Sequence, residues 1–251
     1  MVIAAVAAFV AGLAVGSFVT VVAHRVPRGE SIVAPRSRCP SCGSQIAVFD
    51  NVPVLSWLLL RGRSRCCGEP ISARYPLTEL TLGALYAATV LVLWDDPTEL
   101  ALGLVFVTML TAVTLTDLER RVIPNRILFV AAVAAVTIAA VGDPGSLPER
   151  AIAALAAGGL FFLVALAYPR GMGLGDVKLA AAMGLFLGRD VAAAILVALL
   201  AGSLVGLAMI AGQGSAARKQ AIPFGPFLAL GGVVGLLLGD QLVSWYLGAI
   251  S

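Results

Sequence analysis

The chain has 251 residues, of which 60% are hydrophobic and only 12% charged, with a formal net charge of +3 and a mean hydropathy of +0.99. A soluble domain carries roughly 25% charged residues, so 17 basic and 14 acidic side chains are too few to cover a soluble surface of this size. That excludes an ordinary soluble enzyme, a disordered chain and a secreted disulfide scaffold, and it leaves a polytopic membrane protein.

The long apolar runs do not alternate with polar residues, which argues against a β-barrel. Gly is abundant at 27 residues and aromatics are scarce at 7%, as suits helices that pack through small residues in lipid. The expected fold is all-α, with about eight transmembrane helices and a small cytoplasmic loop domain after the first.

The first apolar segment, residues 1–22, has no Lys or Arg before Thr20, and Arg25 and Arg28 follow it. It lacks the basic start of a signal peptide and reads as a retained span. Residues 23–77 form the only large polar stretch. At this size a domain sits near the lower limit for a self-sufficient core, and a metal often supplies the difference. Further apolar segments follow at 78–94, 99–116, 127–141, 151–168, 177–188, 190–211 and 222–248. A span needs about 20 helical residues. The 177–188 segment gives only about 18 Å of helix, so its start must lie below the interface or the preceding loop must dip inward.

Charge sets the expected orientation. Residues 23–77, 117–126, 169–178 and 212–221 hold every Lys and Arg except Arg150 and Arg189. Basic residues favour the cytoplasmic face. The N-terminus is therefore expected outside, the 23–77 loop inside and the C-terminus outside.

All four cysteines lie in the 23–77 loop. Cys39-Pro40-Ser41-Cys42-Gly43 has the spacing of a metal knuckle, and Cys66-Cys67-Gly68 follows. Four thiolates suit tetrahedral zinc, and a cytoplasmic place argues against structural disulfides. The second half is irregular, because Ser64 stands three residues before Cys67 where a C-x-x-C pair would have its first cysteine. The alternatives are a half-decayed knuckle or free thiols.

Two acidic residues end apolar spans on the expected cytoplasmic side. Asp117 closes the third segment, and Asp176 opens the sixth within Gly171-Met172-Gly173-Leu174-Gly175-Asp176-Val177-Lys178. Singly, Asp117 reads as an interfacial carboxylate near Arg120 and Arg121, and Asp176 as a helix N-cap. Together they suggest more. Ionisable groups at membrane depth are functional suspects, and irregular Gly-rich backbone is tolerated there where it lines a protein cavity. Two carboxylates in a low-dielectric site share one proton. One can then take a proton from water while the other donates to a substrate carbonyl, which is peptide hydrolysis without a metal or a serine nucleophile. The single histidine, His24, reads as an interfacial side chain.

At these residues the sequence resembles the type IV prepilin peptidases, a family of membrane aspartyl proteases, over nearly the whole chain. Gly16-Ser17-Phe18-Val19-Thr20-Val21 through Arg25-Val26-Pro27 is similar to the family's first block. Arg36-Ser37-Arg38-Cys39-Pro40-Ser41-Cys42 is similar to its first knuckle. Asn51-Val52-Pro53-Val54-Leu55-Ser56-Trp57, Leu60-Arg61-Gly62-Arg63 and Ile71-Ser72-Ala73-Arg74-Tyr75-Pro76 with Glu79 follow in family order. Gly173-Leu174-Gly175-Asp176 matches its G-x-G-D motif.

The resemblance implies catalysis by Asp117 and Asp176, with Gly173, Gly175 and Lys178 shaping the site or binding substrate. It implies a structural zinc on Cys39, Cys42, Cys67 and either Cys66 or a non-cysteine ligand. Prepilins or pseudopilins would be the substrates in the inner membrane, with the lipid bilayer as surroundings and no nucleic-acid partner. It also associates a second activity, S-adenosylmethionine-dependent N-methylation of the new N-terminus, with the N-terminal region. Thr20 in place of the family's Asn, and Ser64 in place of a knuckle cysteine, are departures there. A presenilin-like G-x-G-D protease, a proton-coupled transporter and a non-catalytic docking protein are the alternatives. The expected functional parts are a first helix (1–22), a cysteine-containing domain (23–77) and the peptidase helices (78–251).

Overall fold

The computed structural model describes residues 1–34, 37–39, 41–169, 171–213 and 223–250, without the side chains of 245–247, 249 and 250. Among the motif residues named above, Arg36 and Pro40 lie outside the described residues, as do the loop cations Arg170, Arg218 and Lys219. Among the described residues the elements are helical, joined by turns and two isolated β-bridges. Seven stretches are long and apolar enough to cross a membrane. One of them, Leu174–Gln213, contains two of the eight expected segments, so the chain is an all-α, multi-pass membrane protein. It divides into two compact units, Met1–Trp94 and Asp95–Ser251.

The first unit is a helical hairpin with a folded connection. Helix α1 spans Val2–Arg25 and α3 spans Arg74–Leu93, with the single-turn α2 at Leu55–Leu59 between them. Small residues set the α1–α3 crossing. A Cβ on Gly12 would lie 2.7 Å from the Gly83 Cα, and one on Gly16 would lie 2.8 Å from the Glu79 Cα. The two pairs run in opposite senses, so the helices are antiparallel. Nothing larger than Gly permits this approach, and close backbone packing is what drives helix association in lipid.

The second unit contains α4 (Pro97–Arg120), α5 (Asn125–Gly142), α6 (Leu147–Ala167), α7 (Leu174–Leu187), α8 (Val191–Gln213) and α9 (Gly225–Ile250). Asp96 caps α4, accepting from the N–H groups of Thr98 and Glu99 at 2.9 and 3.0 Å. Pro97 follows at the first helical position, where its missing N–H costs nothing. The helix stops at Arg121, which takes the left-handed conformation at φ 55°.

Helix α7 has 14 residues, about 21 Å of helix. It needs no match to the bilayer because protein surrounds it. It packs against α4, α5, α6, α8 and α9, and Leu179, Met183 and Phe186 are buried with Phe106, Leu110 and Leu228. The Phe106 and Phe186 rings stack with centroids 5.0 Å apart. A helix apolar on all sides is a buried helix.

The far end of α7 is pinned by Arg150 of α6. Its guanidinium donates to the carbonyl oxygens of Phe186 at 2.6 Å and Leu185 at 3.3 Å, and it pairs with Glu99 of α4. Those carbonyls have no helical partner of their own, so one buried cation satisfies the helix end and ties three helices together.

Candidate active site

Asp117 sits in the last turn of α4, buried, and Asp176 in the first turn of α7. The segment that leaves α4 runs past the start of α7, where a Cβ on Gly175 would lie 3.1 Å from the Ile123 Cβ, so the helix ends that carry the two aspartates adjoin. Each carboxylate is held through one oxygen by a glycine N–H. Asp176 Oδ2 accepts from Gly173 at 3.3 Å. Asp117 Oδ2 accepts from Gly225 at 2.9 Å. Gly225 is the first residue of α9, whose first N–H groups have no helical partner. Asp117 therefore caps α9 from 108 residues away. The positive ends of two helix dipoles, those of α7 and α9, meet at the pair.

Glycines make the geometry possible. A Cβ on Gly225 would lie 2.7 Å from Asp117 Oδ2 and 3.2 Å from its Cγ, and one on Gly175 would lie 3.1 Å from the Ile123 Cβ. Gly173 lies beside the Asp176 carboxylate. Lys178 does not turn to the aspartates. Its Nζ donates to Asn125 Oδ1 of α5 at 2.9 Å, as follows from its place two residues beyond Asp176, about 200° around α7.

Gly225 was missed in the sequence reading. The only local signal is Pro223-Phe224-Gly225-Pro226 at the start of the last apolar run, where Pro after the first helical residue marks a helix start. That signal gives the helix boundary but not the carboxylate it faces.

In the first unit the four cysteines converge. Their Sγ atoms all lie within 4.8 Å of one another, with Cys42–Cys66 at 3.2 Å and Cys39–Cys67 at 3.6 Å. Tetrahedral zinc with Zn–S near 2.3 Å sets sulfurs ~3.8 Å apart, so the donor set fits that ion.

The two knuckles share one backbone design. Cys39 N–H donates to Ser44 O and Gly43 N–H to Cys39 O; likewise Ser64 N–H donates to Glu69 O and Gly68 N–H to Ser64 O. Gly43 and Gly68 take φ of 71° and 73°, open to Gly at no steric cost. Ser64 thus occupies the place of Cys39, Cys67 that of Cys42, and Cys66 supplies the displaced fourth thiol. The Ser64 hydroxyl lies 3.1 Å from Cys67 Sγ. The Ser44 hydroxyl, then Cys66, pulls the Cys42 thiol down to about 6. The hydrogen bond to Cys42 is the main cause that pushes Cys66 up to about 12. The two sulfurs lie 3.2 Å apart, within the cluster that would surround a metal.

Sequence comparison decides the family. The profile of the bacterial peptidase A24 N-terminal domain matches residues 10–93, and that of the type IV leader peptidase family matches residues 104–211. The prepilin leader peptidase/N-methyltransferase of Bacillus subtilis is 37% identical over 243 residues, covering 95% of this chain and 96% of the relative.

The chain belongs to the type IV leader peptidase family.

The protein of the same name from Aeromonas hydrophila is 34% identical, covering 95% and 92%, and that from Burkholderia pseudomallei is 35% identical, covering 92% and 84%. No solved structure shows a significant match. As a family member the chain carries the N-terminal profile over α1 through α3, where the knuckles lie. The peptidase profile covers α4 through most of α8, where both aspartates lie.

Proposed function

We propose that the chain is a membrane aspartyl endopeptidase that removes the short basic leader of prepilins or pseudopilins at the cytoplasmic membrane face. The observation that supports this is that the ends of α4 and α7 carrying Asp117 and Asp176 adjoin, each carboxylate accepting a glycine N–H through Oδ2.

In this reading the pair shares one proton. The ionised carboxylate takes a proton from a water, whose oxygen attacks the scissile carbonyl carbon. The protonated carboxylate donates to the carbonyl oxygen. When the tetrahedral intermediate collapses, a proton passes to the departing amine and the pair regains its starting state. Gly173 and Gly175 allow the backbone approach, and Lys178 holds α7 to α5 through Asn125. The N-terminus faces outward and the aspartates face the cytoplasm, on the strength of the Lys and Arg distribution. By chemistry the working parts are 1–22, 23–77 and 78–251, a division that cuts across the compact units at α3.

The cysteine cluster holds one structural zinc on Cys39, Cys42, Cys66 and Cys67, cross-linking a connection too small for a large core. The relatives' names also carry N-methyltransferase activity. We extend that activity to this chain, with S-adenosylmethionine as methyl donor and no residue assigned to it.

The test is mass spectrometry of a prepilin co-expressed with the wild-type chain, with Asp117→Asn and with Asp176→Asn, each checked for membrane insertion. Leader loss only with the wild type supports the peptidase. Added mass of one methyl group on the product supports the second activity. Normal processing by either variant rejects the dyad.

A further inference from the structure

The connection between α1 and α3 displays apolar side chains that a solvated loop has no reason to display. Val48, Phe49, Val52, Leu55, Leu58 and Leu59 are all exposed, Leu59 at 82%, Val48 at 79% and Phe49 at 66%. They occupy α2, the 3₁₀ turn Val48–Asn51 before it and the link between the two, within 12 consecutive residues.

Three observations fix the depth of this patch. Glu79 of α3 is buried, and its Oε2 accepts from the Val54 N–H at 2.8 Å. Glu79 is five residues inside α3, about 7.5 Å below Arg74 along the axis. It also lies against Gly16 of α1, nine residues before Arg25 and so roughly 13 Å below it. The glutamate side chain leans toward the start of its helix, which recovers only a few ångströms. The connection thus folds back down beside its own hairpin rather than standing off it.

The backbone is bent to make this return. Val54 has φ 61° and ψ −51°, and the Leu55 N–H donates to Pro53 O at 2.6 Å. That is a γ-turn of the strained hand, in a β-branched residue for which positive φ is an outlier. The Glu79 carboxylate holds it at the entry to α2. Trp57 anchors the other side, its Nε1 donating to Ile71 O at 2.9 Å.

We infer that α2 and the turn before it lie in the interface of the bilayer that α1 and α3 cross, with Leu55, Leu58 and Leu59 among the acyl chains. The headgroup region is about 5–7 Å deep on each side, the depth to which the Glu79 bond brings Val54. Exposed Arg61 and Arg63 follow α2 immediately, placed for anionic phosphates. The inference rests on α1 and α3 spanning the membrane and not on the peptidase reading.

The experiment uses the full chain in vesicles of phosphatidylethanolamine and phosphatidylglycerol. The photoreactive residue p-benzoylphenylalanine replaces Leu59, or Val48 as a second position in the patch. It replaces Leu80, exposed on α3, as the lipid-facing control, and Glu69 as the control in the exposed second knuckle. After irradiation, intact mass should show phospholipid adducts at 59, 48 and 80 and only background at 69. Exchanging phosphatidylglycerol for phosphatidylcholine should lower the yield at 59 and leave that at 80 unchanged. Two results would overturn the inference: no lipid adduct at 59 and 48 while 80 labels, or cross-links from 59 to a second copy of the chain. An unchanged yield at 59 without anionic lipid would overturn the role given to the arginines.

Discussion

Gly225 donates its backbone N–H to Asp117 Oδ2 at 2.9 Å, joining the first residue of one helix to the last turn of another across 108 positions. A missing side chain is what allows it, since a Cβ there would lie 2.7 Å from that oxygen. Gly225→Ala should therefore displace the Asp117 carboxylate from its place. Misplacement by about 1 Å costs on the order of 10²-fold in rate. Leader cleavage should fall by about that factor while membrane insertion is kept. Processing at the wild-type rate would mean that Gly225 does not position Asp117.

Asp117→Asn and Asp176→Asn should each reduce cleavage by at least about 10³-fold, within the range general acid–base groups contribute. Both roles must be filled in one site, so the double variant should be no worse than either single one. Additive losses, measured by single-turnover cleavage of a prepilin peptide in detergent, would argue for two independent roles.

Purified protein should contain one zinc per chain. Cys66→Ser should lose it, because Ser64 leaves the second knuckle one thiolate short. Ser64 occupies the place of Cys39 in the matching turn, so adding Ser64→Cys to Cys66→Ser should restore binding with regular C-x-x-C spacing. Elemental analysis with a proteolysis test of residues 23–77 checks both. A double variant without zinc would show that the two knuckles are not equivalent.

Arg150→Met should lower stability by about 1–3 kcal/mol, the cost of leaving buried hydrogen-bonding groups unpaired, since the Glu99 side chain is itself partly exposed. It removes the Glu99 pairing and frees the Phe186 and Leu185 carbonyls together. The check is thermal unfolding in detergent, and a shift within error would show that solvent or lipid replaces the guanidinium.

The loop should also loosen in acid. The Arg65 guanidinium, hydrogen-bonded to Asp50, holds that carboxyl below its ordinary value. A depressed folded value gives stabilisation above the unfolded carboxylate range, lost as pH falls through the folded value. Arg65 is exposed although the Asp50 side chain is mostly covered, so the effect is small and screened by salt. Limited proteolysis at Asp50 and beyond should quicken below about pH 3.9, and Arg65→Ala should abolish that pH dependence.

Composition and charge order alone determined that this chain is a bundle of membrane helices with one polar connection, because a bilayer tolerates no other arrangement of so many long apolar runs. Local chemistry singled out the two aspartates, the glycines around Asp176 and the first cysteine knuckle as candidates, since each is a short pattern with its own physical signature. Sequence also foresaw that the segment opening with Asp176 is too short to span unaided.

Only tertiary structure decided what surrounds them. Helix α7 can be short because α4, α5, α6, α8 and α9 pack against it, which no window of residues 177–188 reports. Gly225 and Glu79 act on groups 108 and 25 positions away. Cys66 completes the cluster only because Ser64 adopts the turn of Cys39. In each case the interaction is a close approach across helices or turns. Sequence records the small or polar residue that permits it, and the packed fold selects its partner.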